Sequence, residues 1–140
     1  MNFMADQHSG SRLVGKMSQF GFKHHGIVIG KSVHDGQTYV AESVNCGYQY
    51  VTEDEFVSRY SRNGKIERRS AKDFQSGYEI AERAVEEINK GGYGKYNALF
   101  NNCESFANRA VHGHSISWQF VTVCLVIVAG VAVLKGARAA

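Results

Sequence analysis

Lys23-His24-His25-Gly26-Ile27-Val28-Ile29-Gly30 and Asn101-Asn102-Cys103-Glu104-Ser105-Phe106 are the two stretches on which the reading of this chain turns. The first is a β-branched run bounded by glycines, with histidine at its start, and predicts a short buried strand. The second places asparagine before a cysteine and predicts a helix N-terminus, with Asn101 or Asn102 as the cap. A thiol becomes a strong nucleophile once deprotonated, and an imidazole can take that proton. A helix N-terminus favours the thiolate, and its amides can hold a developing oxyanion. Together the two stretches are the parts of a Cys–His acyl-transfer site. Neighbouring strand residues point to opposite faces, so only one of His24 and His25 can meet the thiol.

Working outward, Lys31 to Gln37 contains Asp35-Gly36 and predicts a hairpin turn, with Thr38 to Val44 as the returning strand and Tyr48 to Val51 as a further one. Thr52 with Glu55 three residues on predicts a capping box for a short helix or turn. Ile80, Ala81, Ala84, Val85 and Ile88 make one apolar stripe, so Tyr78 to Lys90 reads as a helix ended by Gly91-Gly92. A second helix is expected from Cys103 to His112, stopped by Gly113. Met1 to Gly21 reads as a polar lead-in without the apolar core of a signal peptide.

The chain has 140 residues, 44% apolar and 21% charged, which is one ordinary globular domain and excludes a disordered one. Its three cysteines, Cys46, Cys103 and Cys124, have no paired spacing, which argues against a disulfide framework. No CxxC or His-x-x-x-His spacing suggests a metal, and no cofactor motif is present. Between Arg59 and Lys72 six basic residues face one acid, Glu67. A solvated loop accounts for such a run, and anionic phospholipid headgroups are the alternative partner. Nucleic acid is not expected, because no aromatic interleaving accompanies the charge.

Trp118 to Leu134 is different in kind. In these 17 residues only Gln119, Thr122 and Gly130 interrupt an apolar run, and none is charged. As a helix it would extend about 26 Å, near the minimum for crossing hydrocarbon. Trp118 suits one interface, and Lys135 and Arg138 the other. The expected organisation is a polar segment over 1–21, a catalytic-type domain over 22–116 and a membrane-anchor helix over 117–135. The catalytic domain would then lie in the cytosol, held at the membrane by its C-terminal anchor.

In this order, the two opening stretches and the tail resemble the lecithin:retinol acyltransferase-like proteins, the H-box/NC family. That family includes small phospholipase/acyltransferases and some picornaviral 2A proteins. The resemblance is carried by Lys95-Tyr96-Asn97-Ala98-Leu99-Phe100-Asn101-Asn102-Cys103-Glu104-Ser105-Phe106 with Gly113, by His24-His25-Gly26-Ile27-Val28-Ile29-Gly30, and by the helix over Tyr78 to Ile88. It covers roughly Phe22 to Gly113. It implies an α+β fold, a circularly permuted relative of the papain and NlpC-type peptidases, with a small antiparallel sheet packed on the helix that bears the cysteine. It further implies Cys103 as nucleophile, His24 as acid/base and a phospholipid acyl ester as substrate. In the family a second histidine sits on the returning strand. Glu42 falls at that position here, and a carboxylate can orient an imidazole. His34, in the turn, is the poorer candidate for that role. His25 stands where the family has an aromatic residue, and Ser105 replaces the usual histidine of the NC motif. The competing expectation is a catalytically silent member of the same family, kept as a membrane-tethered interaction module.

Overall fold

Ile27, Val28 and Ile29 are all buried, so the strand that carries them has no solvent face. This is why three consecutive apolar residues occur there instead of an alternating pattern. The computed structural model describes residues 2–18, 21–92, 102–113 and 126. Within them the fold is α+β. Six strands form one antiparallel sheet: β1 (Phe3–Met4), β2 (Arg12–Lys16), β3 (Lys23–Ser32), β4 (Thr38–Val44), β5 (Gly47–Thr52) and β6 (Glu67–Arg69). The spatial order is β5-β4-β3-β2-β6, with β1 paired to the end of β3. Three helices cover it: α1 (Glu53–Tyr60), α2 (Phe74–Asn89) and α3 (Cys103–His112), with one 3-10 turn at Ser61–Asn63.

The pleat of β3 divides the core in two. Ile27 and Ile29 meet Ile80, Ala81 and Ala84 of α2 and Phe106, Ala107 and Ala110 of α3. Val28, with Leu13 and Val40, meets Phe56 and Tyr60 of α1. The small residues of α2 and α3 let those helices lie close to the sheet and to each other. A buried ion pair joins the two helices, with Arg109 Nη2 2.6 Å from Glu87 Oε1.

The caps follow the sequence closely. Thr52 Oγ1 accepts from the Glu55 amide at 3.2 Å, although the Glu55 carboxylate turns to Arg59 and so leaves the expected capping box half formed. Asn102 Oδ1 accepts from the Ser105 amide at 2.9 Å, and Gly113 closes α3 with φ 75°. Helix α2 starts four residues before the expected Tyr78. Its start is set by Asp73, whose carboxylate accepts from the Ser76 amide at 2.7 Å.

Two segments differ more. The polar lead-in over 1–21 contains β1 and β2, and β2 is an interior strand between β3 and β6. The basic run over 61–72 is not all loop: its Glu67–Arg69 pairs with Arg12–Val14 of β2 as an edge strand. Edge strands are held by backbone hydrogen bonds, so an exposed, charged triplet can serve. Apart from Val126, Trp118–Leu134 lies outside the described residues, as do Lys135, Arg138 and Lys95–Asn101. Among the described residues, no helix is long and apolar enough to cross a membrane.

Gly26 shows how tightly the sheet holds α1. A Cβ there would stand 2.5 Å from Val40 Cγ1 and 2.9 Å from Phe56 Cε2. Gly26→Ala should therefore destabilise the fold by about 1–3 kcal/mol through overpacking, seen as a lower denaturant midpoint at unchanged slope. An unchanged midpoint would show that α1 can move off the sheet without cost.

Candidate functional site

The start of β3, the middle of β4 and the N-terminus of α3 converge on one buried cluster. His24 and Glu42 come from neighbouring strands, with Glu42 paired beside Gly26 in the β3–β4 register. His24 Nε2 lies 2.7 Å from Glu42 Oε2. Cys103, the first residue of α3, lies close enough to His24 to raise the pKa of its imidazole. Its Sγ also stands 3.7 Å from the Lys23 carbonyl oxygen. The three sequence candidates Cys103, His24 and Glu42 thus fall in one cluster. His34 is exposed in the turn after β3, where its amide bonds Ser32 Oγ.

Glu42 is fully buried, and a lone carboxylate would be costly there. It has three partners: His24, Gln49 Nε2 at 2.6 Å and Arg59 Nη1 at 2.8 Å. Burial pushes its pKa up, but the His24 hydrogen bond and charge, with Gln49 and Arg59, outweigh this and hold it below the usual carboxylate value. Arg59 is fixed in turn by Glu55 one helical turn earlier, at 2.5 Å. The His24 ring also packs against aromatic rings of α1. It stacks on Tyr60 with centroids 4.7 Å apart and lies 5.8 Å from Phe56.

The two adjacent histidines have opposite fates. Burial pulls the His24 pKa down, but hydrogen bonds and charges from Cys103 and Glu42 overcome it and raise the value to about 9. Burial, and then the charges of Arg12 and other cations, lower the His25 pKa to about 2. Its Nδ1 accepts from Arg12 Nε at 3.1 Å, which requires the neutral ring. His24 is therefore the imidazole on the thiol, and His25 is a neutral acceptor in a structural network.

Sequence reasoning missed that network. Arg12 is 8% exposed and also donates to Asn108 Oδ1 on α3 at 2.6 Å. It thereby ties β2 to the helix that carries Cys103. A single arginine in a polar N-terminal stretch carries no signal for this. Arg59 and Gln49 were missed too, because their role appears only when β4, β5 and α1 are brought around Glu42.

Among the described residues, no group of three or more His, Cys, Asp or Glu side chains converges as metal ligands would. Cys46 and Cys103 are free thiols, Cys46 exposed and Cys103 buried. Cys124 and His114 lie outside the described residues. A groove of about 650 Å³ between β1 and α2, lined by Phe3, Ile29, Tyr78, Ala81 and Val85, contains none of the three candidate residues. The convergence of titratable groups, not cavity size, marks the site.

The pKa values set a pH signature. A folded pKa of about 9 at His24, above the ordinary 6.5, contributes stability that is complete below pH 6.5 and is lost as pH rises through 9. A folded pKa of about 2 at His25 contributes stability that is complete above pH 6.5 and is lost as pH falls from there toward 2. Unfolding free energy should therefore peak near pH 6.5. His24→Gln should flatten the alkaline side and His25→Gln the acid side, read from denaturant melts across pH. The opposite assignment of sides would reverse the roles of the two rings.

The geometry can now be compared with known proteins. A family model described as lecithin retinol acyltransferase matches residues 6–116. That span begins before β2 and takes in His24, Glu42 and Cys103. No curated protein and no solved structure matches the chain. A match over well over half of the chain, containing every described element from β2 to α3, establishes that the protein belongs to the lecithin retinol acyltransferase family.

Proposed function

We propose that this protein is a thiol acyltransferase or phospholipase that works on acyl esters of glycerophospholipids. Cys103 is the nucleophile, His24 the acid/base and Glu42 the residue that orients His24. The observation that carries this reading is the buried cluster of Cys103, His24 and Glu42 at the N-terminus of α3. The thiolate attacks the ester carbonyl, and the carbonyl electrons pass to oxygen near the positive end of the α3 dipole. The tetrahedral adduct collapses, and the lysophospholipid alkoxide leaves with the proton held by His24. An acyl-thioester remains on Cys103. Water, an alcohol or an amine then attacks it while neutral His24 takes the incoming proton, and collapse restores thiolate and imidazolium.

We read the fold as a permuted relative of the papain and NlpC-type peptidases, with the histidine strand preceding the cysteine helix. We further read Trp118–Leu134 as a C-terminal membrane anchor, on the apolarity of its sequence alone. An anchor following so soon after α3 would hold Cys103 near a lipid surface, with the domain on the cytosolic side.

Incubation with a phospholipid should add one acyl mass to Cys103, removable by neutral hydroxylamine, and Cys103→Ser should show none. His24→Gln should slow turnover on the order of 10²–10⁴-fold. Because the Glu42 charge raises the His24 pKa, Glu42→Gln should move the alkaline limb of the rate profile from near pH 9 to lower pH. A parent chain that never acylates, though folded, would overturn the enzymatic reading and leave the interaction module.

A further inference from the structure

We propose that the β2–β3 hairpin is a docking surface for anionic phospholipid membranes, with Met17 and Phe22 entering the lipid between Lys16 and Lys23, so that docking presents the bilayer to Cys103. The presentation step rests on the acyl-ester reading above; the docking does not.

Three observations meet in this hairpin. The first is apolar exposure. Met17 is 51% and Phe22 59% exposed, and the Met17 amide bonds the Phe22 carbonyl at 2.8 Å, so both project from the same closed turn. Single exposed apolar residues are common on any surface. Two at one hairpin tip next to a reactive thiol are not explained by that.

The second is charge. Lys16 and Lys23 are direct cross-strand partners in the β2–β3 ladder, and both are exposed. Like charges directly opposite each other oppose strand pairing. Glu67, bonded to Arg69 at 2.8 Å, also senses the charge of Lys23. Asn63 Nδ2 bonds the Lys16 and Met17 carbonyls at 3.1 and 3.2 Å, which brings the exposed Arg62 and Lys65 alongside. A cationic rim around an apolar tip is complementary to a surface of anionic headgroups over acyl chains.

The third is position. The Lys23 carbonyl is 3.7 Å from Cys103 Sγ, so the base of the hairpin is also the wall of the site. A lipid surface that received Phe22 would lie against the thiol.

The test uses the full chain carrying Phe22→Trp, with the parent supplying the Trp118 background. It is mixed with vesicles that contain phosphatidylserine or phosphatidylcholine alone, each with brominated acyl chains. On phosphatidylserine vesicles the added indole should shift to the blue and be quenched. Raised salt should reverse this, and so should Lys16→Glu with Lys23→Glu. Because the readout follows the hairpin itself, attachment through the apolar tail does not imitate it. Because it needs no turnover, a Cys103→Ser background should give the same quenching, whether or not the chain is an enzyme. An indole that remains water-exposed and unquenched on phosphatidylserine vesicles overturns the proposal, as would equal quenching on both vesicle types at any salt.

Discussion

The carboxylate of Glu42 is buried completely on the central part of the sheet, and much of the molecule is arranged around keeping it charged. A buried ion without partners would protonate or unfold its surroundings. Here β3 supplies His24, β5 supplies Gln49 and α1 supplies Arg59. Each partner is held by something else: His24 by the Tyr60 ring, and Arg59 by Glu55. Helix α1 is therefore fixed by charge at one point and by the Phe56–Val40 packing over Gly26 at another. The same carboxylate that ties α1 to the sheet helps, after Cys103, to raise the pKa of His24, so the packing of α1 and the protonation of that histidine share one group.

His24 and His25 show how little the residue type alone decides. They are adjacent, both nearly inaccessible, and separated in pKa by the whole physiological range. The pleat sends one toward anions and the other toward a guanidinium. Burial acts in the same sense on both, and the sign of the neighbouring charge decides the result.

How much of this is legible in the sequence depends on which force holds each element. The centre of β3 is legible because burial on both faces demands three apolar residues in a row. Both helix starts at Thr52 and Asn102 are legible because a capping side chain acts locally. Glu42 could be placed beside His24 from the resemblance alone. Strand β6, Glu-Arg-Arg, was not legible, since its backbone does the pairing and its side chains are in water. Strand β2 was obscured by Arg12, whose burial makes sense only with Asn108 in place, 96 positions away. Sequence patterns report local periodicity well, and they miss a polar side chain whose partner arrives from far along the chain.

The separations along the chain also order the assembly of the site in time. His24 and Glu42 belong to one hairpin and meet after a short loop closes, whereas the thiol on α3 joins them across 80 positions, as its contact with Lys23 shows. Closing long loops is the slower, entropically dearer event. A nascent or partly unfolded chain thus carries its histidine–carboxylate pair without its sulfur. The thiol acquires its imidazole neighbour only as α3 docks, so the meeting of sulfur and imidazole waits on the folding of the sheet that carries the histidine.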